Sequence, residues 1–201
     1  MTIRPSPEHP YLFHRPNVQW VELQARCAGV KHVVVDAGEG DEAELDALRK
    51  ALRGLPVEGV TSGALASEYQ RTRIDRVCHE LGLKSFAPLW HHDPASHLRD
   101  LVHAGVDALF VHVSADGMDK DWLGRRLDGE AADELVRLHR RKGINPAGEG
   151  GEYETFVVDA PQFSHRVQIE ESEGHWRRDS GTLTIRSARL AFKTAPPFLQ
   201  P

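Results

Sequence analysis

The order of apolar patterns predicts an α/β protein, a parallel sheet followed by a smaller α+β unit. Three observations carry this. Runs with a helical period alternate with short β-branched runs between Asn17 and Lys142. The connections between them are only a few residues long, which suits strand–helix–strand units with helices on both faces of one sheet. Past Gly143 the pattern changes to three alternating runs, the mark of antiparallel strands. The expected division is a flexible lead-in at 1–10, a partial α/β unit at 11–92 and an α+β unit at 93–201.

Each element has its own signal. The lead-in is rich in proline and holds no pattern. Asn17 reads as an N-cap, with Val18, Val21, Ala25 and Ala28 on one helical face and Gly29 as the stop. The first regular element is therefore expected to be a helix, with the strand Val30–Val35 after it. Asp41-x-x-Glu44 has the form of a capping box, and Leu45, Leu48 and Leu52 make the buried stripe of a helix that Gly54 ends. Val57–Thr61 is the next strand. A helix is expected from Ala66 to Leu81, with Ile74, Val77 and Leu81 inward, and a strand at Lys84–Leu89. Asp93 as N-cap, with Pro94 at the first helical position, opens a helix to Ala104. That helix start accounts for the cluster His91-His92-Asp93 and His97 without a metal. Val106–Val113 is a strongly apolar strand and Gly129–Lys142 the last helix. Strands follow at Phe156–Val158, His165–Glu170 and Thr182–Phe192.

Composition narrows the function. Hydrophobic residues are 40% of the chain and charged ones 27%, so a core can form and disorder throughout is excluded. Asp and Glu number 30 against 25 Lys and Arg; a net charge of −5 opposes the basic footprint of a duplex nucleic-acid binder. No apolar run approaches the roughly 18 residues of a membrane span. Met1–Pro10 lacks the apolar core of a signal peptide, so a soluble, cytoplasmic protein is expected, with no nucleic-acid or membrane partner. Two cysteines, Cys27 and Cys78, are too few for a disulfide scaffold or a thiolate metal site, and no metal ligands are assigned.

Three loops compete for a binding role. Asp36–Asp41 follows a strand and opens a helix, the right place for a phosphate. Its acids, with Glu42 and Glu44, repel one, and a polar turn that favours the helix dipole explains it. Thr61–Ser67 holds hydroxyls and Gly63 without acids. The helix after it presents Tyr69, Arg73 and Arg76 together, either a phosphate- or carboxylate-binding face or an ordinary exposed basic one. Gln70, at the edge of the apolar stripe, needs a buried partner or a ligand. The third loop runs from Gly143 to Thr155. Here glycines surround Glu149, Glu152 and Glu154 just before a strand. Glycines let backbone N–H groups approach a ligand. The carboxylates would make an electronegative pocket for a cationic substrate, a metal ion or an ammonium group, with Tyr153 as a cation–π face. The other reading is an exposed acidic turn, although crowding charges there is costly unless something positive arrives.

Together, Tyr11–Asn17, Glu22–Ala25, Ser62–Arg73, Ala87–Trp90, Trp122–Arg125 and Gly148–Thr155 resemble the diphthine–ammonia ligase (diphthamide synthetase) family, over nearly the whole span from Tyr11 to Phe192. The resemblance implies an ATP-pyrophosphatase domain of the adenine-nucleotide α-hydrolase type (HUP, Rossmann-like) and a C-terminal substrate domain. It also implies an ATP-dependent amide-forming ligase for the last step of diphthamide synthesis. ATP, with Mg²⁺, adenylates the carboxylate of diphthine, a modified histidine on translation elongation factor 2, and ammonia displaces AMP. By the same resemblance Gly63, Ser67, Tyr69, Gln70 and Arg73 lie on the nucleotide side. Glu149, Glu152 and Glu154 are then the catalytic carboxylates, and Gly150, Gly151, Tyr153, Thr155, Trp122 and Arg125 contact the substrate. The trimethylammonium of diphthine suits an acidic, aromatic pocket, and arginines with Mg²⁺ suit charge building on phosphorus. No side chain is a nucleophile in its own right; the chemistry is positioning and charge stabilisation.

Family members open with a strand and a Ser-Gly-Gly-x-Asp-Ser loop for the ATP phosphates. These 201 residues contain no such motif and begin where the family's second strand ends. The expectation is a sheet missing its first strands, with edges that need cover. Three accounts follow: a truncated or mis-started and hence inactive chain, a homodimer or partner chain that supplies the loop, or a non-catalytic module that binds the elongation factor or a partner.

Overall fold

The computed structural model describes residues 1–5, 16–39 and 42–193. In chain order its elements are β1 (Thr2–Arg4), α1 (Val21–Cys27), β2 (Val34–Asp36), α2 (Ala43–Arg53), β3 (Gly59–Thr61), α3 (Glu68–Glu80), β4 (Lys84–Phe86), α4 (Pro94–His103), β5 (Asp107–Val113), α5 (Gly129–Lys142), β6 (Tyr153–Asp159), β7 (His165–Arg177) and β8 (Ser180–Phe192). Single 3₁₀ turns at Val18–Trp20 and Lys120–Trp122 precede α1 and α5. No helix among the described residues is long and apolar enough to cross a membrane.

The helices form where caps and stripes ask for them. Asp93 accepts the N–H of Ser96 at 2.8 Å and opens α4 behind Pro94. Asp128 accepts the N–H of Ala131 at 2.8 Å, and Gly143 ends α5 with φ at 75°. Ser67 caps α3 through the N–H of Gln70. Leu45, Leu48 and Leu52 of α2 are buried with Val77 of α3, and Ile74 and Leu81 pack around them. The proposed capping partner Asp41 lies outside the described residues.

The sheets depart from a single parallel array. β1–β2 and β3–β4 form two separate parallel pairs, each only three residues long. A third sheet of four strands, in the order β6-β5-β8-β7, is antiparallel throughout. The continuous apolar run in β5 placed it last in the alternating series; here it runs antiparallel to both neighbours. Its apolar residues serve two cores. Phe110 and Val113 face α4 and α5, packing with Trp122, Leu135 and Tyr153, whereas Val111 faces α1 and packs with Cys27, Phe156 and Ile185. A strand covered on both faces reads as unbroken apolar sequence whether its partners are parallel or not.

One local expectation is corrected and another refined. Thr2–Arg4, read as part of a patternless lead-in, is a strand, and Ile3 is buried against the rest of the fold. Three residues are too few for a period to show. Asn17 does stand at the N-cap position, of the 3₁₀ turn that leads into α1, at φ 61°, but its side chain makes no cap hydrogen bond. Instead its amide reaches β8, with Nδ2 donating to Leu183 O at 2.9 Å and Oδ1 accepting from Ile185 N at 2.8 Å. β5 pairs with β8 only at Thr182 and Gly181, so Asn17 takes over the strand edge where β5 leaves it. Trp20 Nε1 adds a bond to Ile185 O at 2.9 Å. The segment 17–27 thus packs on the C-terminal sheet. Asn17→Ala strips a buried donor and a buried acceptor of partners. We expect it to cost about 2 kcal/mol, with faster hydrogen exchange at the Ile185 amide as the check.

Candidate functional site

A cleft of about 550 Å³ opens between the loop that enters α3, one face of α4 and the segment from Ala147 to Phe156. Its walls are largely apolar, with Val18, Leu98 and Phe156 among them. Its polar lining includes Gln24, Gln70, His97, Glu149, Glu154 and Thr155. Among the described residues that line it there is no lysine and no arginine.

The 62–67 loop and the acidic glycine loop meet at Glu149. Its carboxylate accepts the backbone N–H of Leu65 at 2.6 Å and that of Ala66 at 2.8 Å. A charged acceptor on two main-chain donors is a strong pairing, and it ties together segments far apart in the chain. Glu152 turns inward on its own loop. Oε1 accepts Asn145 N and Oε2 accepts Gly150 N, both at 2.8 Å. Glu154 lies on β6, opposite His112 of β5, and reaches the cleft wall.

The glycines accommodate these internal contacts. A Cβ on Gly150 would lie 2.7 Å from Glu152 Oε1. A Cβ on Gly148, at φ 75°, would lie 3.0 Å from Tyr153 O and 3.1 Å from its ring. The backbone N–H of Gly150 goes to Glu152 and that of Gly151 to Gly148 O. The freedom attributed to donors aimed at a ligand is therefore used to seat a carboxylate and a ring beneath the chain. Tyr153 donates its hydroxyl to Pro146 O at 2.6 Å, and burial, then the charge of Glu152, pushes its phenol above the ordinary range. Its ring meets Phe110 edge-on.

The remaining predicted residues divide. Gly63, Gln70, Glu149, Tyr153, Glu154 and Thr155 line the cleft. The side chain of Gln70, expected to need a partner or a ligand, makes no hydrogen bond among the described residues and faces this space. Ser67 is spent on the helix cap. Arg73 stacks on the exposed Tyr69 ring at 3.5 Å, and Arg76 pairs with Glu42 and Glu80, away from the lining. Trp122 is buried edge-on to Phe110, and Arg125 lies over its ring and binds Glu134 at 2.7 Å. These two stabilise the core behind the loop and are absent from the cleft lining. The loop Gly150–Gly151 stands beside it.

Sequence reasoning missed two cleft residues. Gln24 donates to Val157 O at 2.8 Å and so is fixed on the wall. His97 shares a face of α4 with Leu98 and Leu101; a histidine inside an apolar stripe was the signal. Burial, then the neighbouring His92, pushes its imidazole below the ordinary range, against Asp100 and Glu149.

Residues 1–85 match the family model described as the diphthamide synthase N-terminal domain, and residues 93–191 match the diphthamide synthase C-terminal domain. The diphthine–ammonia ligase of Schizosaccharomyces pombe is 41% identical over 138 residues, covering 67% of this chain and 23% of that protein. Those of Rattus norvegicus and Homo sapiens are each 38% identical over 138 residues, covering 67% of this chain and 51% of theirs. The chain thus spans about half the length of the mammalian relatives and less of the yeast one. With matched domain models along nearly its whole length and these relatives, the chain belongs to the diphthamide synthase family.

Proposed function

We propose that this chain acts in diphthamide biosynthesis as the ligase its relatives are named for, amidating diphthine on elongation factor 2, with the cleft as the seat of the diphthine side chain. The observation that carries this is the cleft lining. Apolar walls accept the methyl groups of a trimethylammonium, and Glu149 and Glu154 supply the opposite charge. Glu152 and Tyr153 act one step back, by holding the loop that carries Glu149. Amide formation then requires an activated carboxylate, as an acyl-adenylate, and ammonia.

ATP, Mg²⁺ and the HUP-type nucleotide fold enter this reading through family resemblance. The described lining does not fit a polyphosphate. It offers no guanidinium or ammonium group, and two main-chain donors of the 62–67 loop are already given to Glu149. No step of nucleotide chemistry is assigned to a side chain here. The same observation favours a second reading, in which the chain binds the modified factor without transferring ammonia.

Incubation with diphthine-bearing elongation factor 2, ATP, Mg²⁺ and ammonium separates the two, with the modified peptide followed by mass spectrometry and binding followed by calorimetry. Conversion of the carboxylate to the amide is the expected result. Binding without conversion selects the second reading, and no binding overturns both.

A further inference from the structure

We propose that His97 is a ligand-contacting, specificity-determining residue of the cleft: uncharged it admits a trimethylammonium group, and protonated it turns one away. This rests on the reading of the cleft as a cation seat.

The position is built rather than incidental. His97 lies in the first turns of α4, where its backbone N–H donates to Asp93 O at 2.8 Å. Its ring stands edge-on to His92, with centroids 6.0 Å apart and planes at 88°. Among the described residues the imidazole makes no hydrogen bond, so its ring nitrogens are available to an occupant of the cleft. It shares that space with both lining carboxylates.

Charge decides the effect. The groups that face the ring are His92 from the turn before α4, Asp100 from α4 itself and Glu149 from the loop before β6, with Glu154 on the cleft wall beyond. Half-burial disfavours the imidazolium, and His92 adds to this. Asp100 and Glu149 oppose the shift without reversing it. The ring is accordingly neutral near pH 7 and sets no positive charge against the cation. On acidification through its lowered range the ring gains a proton and offsets one of the carboxylate charges. Affinity for a cation must then fall as pH falls. At a separation of several ångströms and a partly screened interior, one such charge corresponds to roughly a tenfold change.

Choline is a suitable probe, because its charge is constant across the range. Calorimetric titration of the full chain at pH 7.5 and at a pH below the range in which the ring titrates is expected to give about tenfold tighter binding at the higher pH. In His97→Gln that ratio should collapse toward unity. In His97→Lys, which carries the positive charge at both values, binding should be weakened about tenfold at pH 7.5. Circular dichroism confirms that each variant is folded. An unaltered pH ratio in His97→Gln, or full affinity in His97→Lys, overturns the role of His97 and leaves the cation seat standing. Failure of the unaltered chain to bind choline at either pH overturns both.

Discussion

Replacement of Phe110 by alanine should lower the unfolding free energy by about 3–5 kcal/mol, the largest single effect we expect in this chain. Phe110 is fully buried at the centre of β5. Its ring meets Trp122 and Tyr153 edge-on, each at 5.0 Å between centroids. Truncation leaves a cavity that β5 and α5 cannot close without moving, so the loss combines transfer of the ring with unfilled space. The same void removes the support of Tyr153, whose hydroxyl holds Pro146 at the start of the acidic loop. Urea unfolding should therefore show a lower midpoint, and choline binding should weaken in the folded fraction. A stability change below about 1 kcal/mol would mean that the neighbours refill the site.

Glu152→Ala is the second. Its carboxylate holds Asn145 N and Gly150 N at once, and both donors lose their acceptor. Charge-assisted bonds to a half-exposed group give a combined cost of about 2 kcal/mol, concentrated in this loop. The greater effect is functional. With the loop slack, Glu149 loses its aim at Leu65 and Ala66, and the cleft loses one wall. We expect affinity for choline to fall more than tenfold, amide formation to be abolished in a system that supports it, and amide exchange at 145–152 to quicken. Glu152→Gln keeps one acceptor oxygen and should recover part of the binding. If Glu152→Ala binds choline normally while exchange in the loop is unchanged, the carboxylate does not organise the site.

Much of the helical structure was legible because its causes are local. Asp93 before Pro94 and Gly143 after Lys142 are signals within one turn of the ends they set, and Leu45, Leu48 and Leu52 declare a buried face by spacing alone. The site was legible in composition but not in geometry. The acidic glycine loop and Gln70 stood out as residues in need of partners. Nothing in their order indicated that Glu149 would reach the 62–67 loop, or that Glu152 would fold back onto Asn145 and Gly150. The engagement of the basic face of α3 was likewise not legible: Arg73 and Arg76 are held by Tyr69, Glu42 and Glu80 outside the cleft lining.

By itself, then, the amino-acid order determined which segments are helices, where α4 and α5 begin and end, and that the late strands alternate. It also determined the charge and apolar character gathered in the two loops. Only the tertiary structure decided that the early strands pair two by two, that β5 joins the antiparallel sheet, that Asn17 completes the edge of β8, and that His97 enters the cleft. The physical reason is range. A cap or a stripe is stabilised by neighbours in the chain, whereas strand partners and the acceptors of a carboxylate are chosen among groups brought together from far apart, where burial and unpaired donors, not local propensity, set the outcome.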